Sequence, residues 1–225
     1  MEGFLQEINE WLASVNDVID KRKNLNEHII LENKYFKYGI SSNHYTTNVE
    51  SINQIINAKY LFVGDNPGEN ERLNYSFFYY SNDPKWIKDN KSSAGTKFHK
   101  FVERAHLSDN QFVKFNKCLI FSKSTTDLTL SQIDATQKIV IAFLKILTKY
   151  NSKIKIVVMG LNGKFNSMYK QLIKEFPDII ITPHPCSSLY RYNNTVVINS
   201  TSNLDIEDFC RRWKNKNIMS NFMND

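Results

Sequence analysis

Short, almost continuously apolar runs alternate along the chain with longer stretches whose apolar residues recur every three or four positions, a pattern that predicts strands separated by helices. The runs are Lys59 to Val63, Lys117 to Phe121, Ile154 to Met159 and Ile179 to Thr182. Helical spacing puts Phe98, Phe101, Val102 and Ala105 on one face of a helix over about 96–106. Ile133, Ile139, Val140, Phe143, Leu144 and Leu147 share a face of a second, with Ser131 as its expected N-cap. Phe165, Met168, Tyr169, Leu172 and Ile173 share a face of a third, and a last helix is expected over about 204–213. Strands that are apolar on both faces belong in a parallel sheet covered on both sides. The expected fold class is therefore α/β, a three-layer αβα sandwich around a central four-stranded parallel sheet.

Ahead of this core, Phe4, Leu5, Ile8, Trp11, Leu12, Val15, Val18 and Ile19 recur at helical spacing, and residues 1–56 are expected to form a helical N-terminal segment. Residues 57–214 make the α/β core, and the Asn- and Lys-rich residues 215–225 are expected to fray. A chain of 225 residues without internal repeats is expected to fold as a single domain. No apolar run approaches the roughly 20 residues that span a bilayer, and no basic stretch followed by an apolar one opens the chain, so neither membrane nor signal peptide is expected.

Composition sharpens this modestly. Lys and Arg total 29 against 23 Asp and Glu, and the net charge of +6 suits a phosphate backbone as well as it suits an ordinary basic surface. Three cysteines, Cys118, Cys186 and Cys210, are too few and too scattered for a disulfide framework or a metal knuckle. A reducing, intracellular setting follows as the expectation, cytoplasmic, or nuclear in a eukaryote.

The candidate chemistry lies in two segments placed where strands end. Gly64-Asp65-Asn66-Pro67-Gly68 follows the first run, and Thr182-Pro183-His184-Pro185-Cys186-Ser187-Ser188 follows the last. Loops leaving the carboxyl ends of parallel strands converge on one crevice, so a carboxylate, an amide and a histidine remote in sequence can share a site. Asp, Asn, Pro and Gly are also ordinary turn formers, and either segment read alone is compatible with a plain turn.

Their ordered combination resembles the uracil-DNA glycosylase superfamily, with GDNPG as the first motif and HPCSS as the second. The Asn-Pro-Gly ending is similar to the single-strand-selective and mismatch-specific branches, whereas Asp65 and the following Glu69-Asn70-Glu71 are similar to the branch with GEAPG. Phe77 and Phe78 fall where relatives place the aromatic that stacks on a flipped base. Ser93-Ala94-Gly95 resembles the turn opening the next helix, and Phe115-Asn116-Lys117-Cys118-Leu119 resembles the strand with the base-reading Asn. The likeness spans about Tyr60 to Trp213. Cys186 departs from the usual Ser or Ala, Leu189-Tyr190-Arg191-Tyr192 replaces the customary intercalating loop, and three cysteines cannot hold the four-cysteine iron–sulfur cluster of some relatives.

The resemblance implies a monomeric DNA N-glycosylase that acts on uracil, or a related deaminated base, in DNA and needs no metal or coenzyme. His184 would stabilise the charge developing on uracil O2. Asp65 or Asn66 would position the attacking water, Asp65 being preferred because a carboxylate can accept the proton. Asn116, at the start of the second strand, would read the base edge, with Phe77 or Phe78 stacking on it. Ser187, Ser188, Lys123, Lys164 and Arg191 are candidate DNA contacts, with Ser124, Thr125 and the Gly163 amide beside them; most other lysines read as solvated surface. Two other classes stay open: a DNA-binding relative without catalysis, and an enzyme using the crevice for the phosphate of a free nucleotide.

Overall fold

The computed structural model describes residues 1–22, 28–160, 163–182, 191–192, 195–196 and 204–214. His184, Cys186, Ser187, Ser188 and the tail 215–225 lie outside them, and Arg191 is described in its backbone alone.

Helix α1 (Glu2–Lys21) buries Phe4, Ile8, Trp11, Leu12 and Val15, the stripe that the spacing predicts. Strands β1 (Phe36–Gly39) and β2 (His44–Thr47) form an antiparallel hairpin, and α2 (Val49–Asn57) follows. The expectation of a wholly helical N-terminal segment is therefore corrected. Phe36 and Tyr45 are buried while their neighbours Lys37 and Thr46 are exposed, the period-two pattern of a half-buried ribbon. Tyr45 anchors the hairpin: its hydroxyl donates to the Ile29 carbonyl at 3.0 Å and accepts from the Leu31 amide at 3.1 Å.

The core continues with β3 (Tyr60–Gly64), α3 (Glu69–Asn74), α4 (Pro84–Asp89), α5 (Ala94–Arg104), β4 (Phe112–Asn116), α6 (Leu130–Tyr150), β5 (Lys155–Met159), α7 (Asn166–Glu175) and β6 (Ile180–Thr182). A two-residue pair, β7 (Arg191–Tyr192) and β8 (Thr195–Val196), precedes the final helix α8 (Ile206–Lys214). Strands β4, β3, β5 and β6 lie side by side in that order, all parallel. An α/β fold with a four-stranded parallel sheet flanked by helices is thus present, as the alternation predicts.

Two boundaries differ. The second strand is Phe112–Asn116, so Asn116 is its last residue and not a neighbour of its first. Residues 117–121 are instead an extension beyond the sheet edge: the Ile30 amide donates to Leu119 O and the Phe121 amide to His28 O, an antiparallel seam with the N-terminal segment. Helix α6 is capped by Thr129, whose hydroxyl accepts from the Gln132 amide while the Gln132 side chain returns to the cap. Ser131 sits inside the helix because this reciprocal box satisfies two otherwise orphaned amides.

Register alternation sorts the sheet's side chains. Phe62 lies level with Lys114, Val63 with Phe115 and Gly64 with Asn116. Phe62 meets Phe98 and Phe101 of α5, and Phe101 meets Phe209 of α8. On the opposite face Phe115 stacks on Phe143 of α6 and contacts Trp11 of α1. The Trp11 indole donates to Ile139 O at 2.9 Å, fixing α1 on α6. Helices on both faces leave the carboxyl ends of β3, β4, β5 and β6 along one rim, where the two sequence motifs begin.

Candidate functional site

Asn116 ends β4 opposite Gly64, the last residue of β3. Its side chain is 1% exposed, and its Nδ2 has no hydrogen-bond partner among the described residues. A buried amide donor left unpaired costs about 1–3 kcal/mol, so this donor calls for a partner from outside the described residues. A Cβ on Gly64 would fall 2.6 Å from Asn116 Oδ1 and 2.6 Å from Phe78 Cζ. The missing side chain is what lets these two groups meet over the strand end.

The two adjacent aromatics separate cleanly. Phe77 is wholly buried against Phe115, in the layer of α1 and α6, and serves the core. Phe78 adopts a left-handed backbone (φ 49°), and its ring stacks on Phe98 at 4.5 Å, beside Asn116. Two carboxylates hold this segment. Glu32 accepts from the Ser76 hydroxyl at 3.0 Å and the Phe77 amide at 2.8 Å. Glu71 accepts from the Gly68 amide at 2.7 Å and the Phe78 amide at 2.5 Å, coupling the end of the first motif to the aromatic.

Asp65 is engaged from below. Its Oδ1 lies 2.5 Å from the Nζ of Lys117, which is completely buried. The same ammonium donates to Met159 O at 3.0 Å, Gly160 O at 3.2 Å and the Tyr169 hydroxyl at 3.0 Å, so that it ties together the ends of β3, β4 and β5. Burial pulls the Lys117 ammonium down, but the Asp65 carboxylate and the Tyr169 hydroxyl outweigh it and hold it above the ordinary lysine value. Gly160 has φ 103°, and a Cβ there would meet Asp65 Oδ1 at 2.7 Å, so this position calls for glycine twice over.

Asn66 has a different employment. Its Nδ2 donates to Pro67 O at 3.1 Å and Ser122 O at 3.2 Å, and its Oδ1 accepts from the Thr125 hydroxyl at 2.7 Å. Both ends of the amide fasten the first motif to the loop after β4. Lys123 is exposed on that loop. Lys164 donates to Thr126 O and Leu128 O, bracing the same loop, while Ser124 caps its short 3₁₀ turn. Of the candidate residues, Asp65, Asn66, Phe78, Asn116 and Lys123 thus share the carboxyl rim, whereas Phe77 is turned away. His184 leaves the same rim in sequence, two residues beyond the end of β6, whose Thr182 carbonyl accepts from the Gly160 amide at 2.9 Å.

Lys117, Glu32 and Glu71 are the residues that pattern reading passes over, although each left a trace. Lys117 and Glu32 interrupt or end apolar runs, FNKCLI and IILE, where a charge needs a partner. Glu71 stands three residues after Gly68, the capping-box position.

Burial pushes the Glu71 carboxyl from its ordinary 4.5 up to about 7, against the two amides that favour its charged form. A raised folded-state value means that the folded protein holds this proton more tightly than the unfolded chain. Its stabilising contribution is therefore complete below about pH 4.5 and is lost as pH rises through about 7. Urea unfolding across that window should show the wild type losing stability relative to Glu71→Gln, with the difference constant above pH 8; parallel profiles would remove Glu71 as the titrating group.

No protein-family model matches the chain, and no curated protein matches it.

Proposed function

We propose that this protein is a DNA N-glycosylase of the uracil-DNA glycosylase type, which hydrolyses the N-glycosidic bond of a flipped uracil, or a related deaminated base, and leaves an abasic site. The observation that carries this reading is the unpaired, buried Nδ2 of Asn116 beside the ring of Phe78 and above Gly64. A uracil edge seated there gives the amide an O4 acceptor and an N3–H donor at once, with the aromatic against the base. Asp65 then takes the water-positioning role, since the amide of Asn66 is consumed in holding its loop. The Lys117 ammonium offsets the field of Asp65 at a cationic sugar, so orientation of water is the main contribution of that carboxylate. His184 supplies the hydrogen bond to the departing base. DNA is the partner, through Lys123 and through Ser187, Ser188 and Arg191, which follow β6 in sequence.

The same ion pair favours a second reading, a nucleic-acid-binding relative that seats a base without cutting it. Oligonucleotides bearing single modified bases decide between them: abasic sites are expected at the uracil positions, and binding without base release supports the second reading. Asn116→Asp replaces the donor facing O4 by an acceptor. It should lower uracil release about 5- to 150-fold, equivalent to about 1–3 kcal/mol, with a smaller effect on melting. Residual activity should tilt toward cytosine, whose amine can donate to the new carboxylate; equal uracil release by both proteins would remove Asn116 from the site.

A further inference from the structure

The chain between Phe78 and Lys100 folds back on itself so that two ring pairs stand side by side. Phe78 stacks on Phe98 inside, and two residues on Tyr80 stacks on His99 outside, with centroids 3.7 Å apart and planes 13° from parallel. Trp86 of α4 stands edge-on to both Tyr79 and Tyr80 at 5.6 Å. Unlike the core aromatics, Tyr79, Tyr80, Trp86 and His99 all stay partly exposed. They make a ridge that begins at the residue after Phe78.

Lysines surround this ridge. Residues 79–100 contain five Lys against two Asp, half of the surplus charge of the whole chain. Lys85, Lys88, Lys91 and Lys100 are exposed, and none of them has a carboxylate partner among the described residues. One of the two acidic residues, Asp83, is occupied in capping α4 through the Lys85 amide. Partly exposed aromatic rings interleaved with ammonium groups are what a flexible polyanion with flat bases requires. A protein partner would be expected to meet an apolar patch, and a duplex hides its base faces.

We infer that the Tyr79–Trp86–His99 ridge with its lysine border is a platform for single-stranded DNA, which carries the strand flanking the base that enters the Asn116–Phe78 crevice. This rests on the reading of that crevice as a base site. The continuity of the chain from Phe78 to Tyr80 gives the route: a strand whose bases stack on the ridge passes beside the strand end that carries Asn116 and Phe78.

The test is the affinity of the full chain for a fluorescent thymidine oligonucleotide of about a dozen nucleotides, measured by anisotropy over a salt series, for Trp86→Ala, for Lys85→Ala/Lys88→Ala, and for Lys138→Ala/Lys153→Ala as a control away from the ridge. Trp86→Ala should weaken binding about 5- to 100-fold. The Lys85/Lys88 pair should flatten the slope of log affinity against log salt by about 1.4, and the control should do neither. The lysine pair is exposed, so it keeps the test decisive if Trp86→Ala melts early. Wild-type affinity and slope in both ridge variants would overturn the platform. Base release, assayed in parallel on a uracil oligonucleotide, separates the two ideas. Ridge-dependent binding without base release overturns the glycosylase reading alone, and base release with ridge-independent binding overturns the platform alone.

Discussion

Replacing Lys117 by methionine is expected to destabilise the protein by about 3–5 kcal/mol, the largest stability effect of any single change at this rim. Lys117 is completely buried, and its ammonium is 2.5 Å from Asp65 Oδ1. Methionine keeps the volume of the side chain and removes the charge. It leaves a carboxylate and three oxygens, those of Met159, Gly160 and the Tyr169 hydroxyl, without their shared donor. Coulomb attraction in a low-dielectric interior rarely exceeds the desolvation of both ions, so the pair itself adds little net stability. Breaking it on one side is what is costly. A double variant, Asp65→Asn/Lys117→Met, should accordingly recover about 1–3 kcal/mol of the loss, since the stranded charge is gone. Urea denaturation of the two single variants and the double variant measures this coupling; a Lys117→Met cost below about 1 kcal/mol, or strict additivity, would show that the ammonium does not depend on Asp65.

His184→Ala should lower the rate of base release by about two to three orders of magnitude, the cost of removing one preorganised donor to a developing oxyanion. The proposal rests on position: of five histidines, His184 alone lies in a proline-framed segment directly after a strand of the parallel sheet. His44 is paired with Asp20, and His99 is stacked on Tyr80. A donor to the leaving group acts in the transition state and not in the ground state, so DNA affinity should hardly change while kcat and kcat/KM fall together. Single-turnover excision from a uracil oligonucleotide, with binding measured separately, gives both quantities. An unchanged excision rate would take His184 out of the mechanism, and a rate loss matched by lost affinity would make it a binding residue.

Much of the architecture was legible in the chain because burial on both faces leaves a one-dimensional trace. Tyr60 to Gly64 is buried at every position, and a run of that kind, set between helical stretches of period 3.6, has few other folds open to it. The hairpin at 36–47 left a weaker trace. Its strands are four residues each, and Tyr45 finds its hydroxyl partners only in the backbone at Ile29 and Leu31. The second strand is hard to place for a related reason: Phe112 to Phe121 carries apolar residues on both sides of Lys114, Asn116 and Lys117, and where the sheet ends and the seam with residues 28–30 begins is decided by which backbone groups are available to pair.

By itself, then, the sequence determined the alternation of strands and helices and the rim at which Asp65 emerges, since apolar period and turn chemistry are local properties, but it set Asn116 at the start of its strand where the structure has it at the end. Only the tertiary structure decided which side chains at that rim remain available. Asn66 and Lys164 are spent on loop carbonyls, and Phe77 is given to the core while Phe78 is kept beside Asn116. Asp65 is bound to a lysine whose place in an apolar run marked it as needing a partner without saying which. The physical reason is that a polar group's chemistry is set by its partners, and those partners lie 36 to 56 residues away, on strands and loops that meet only when the sheet forms.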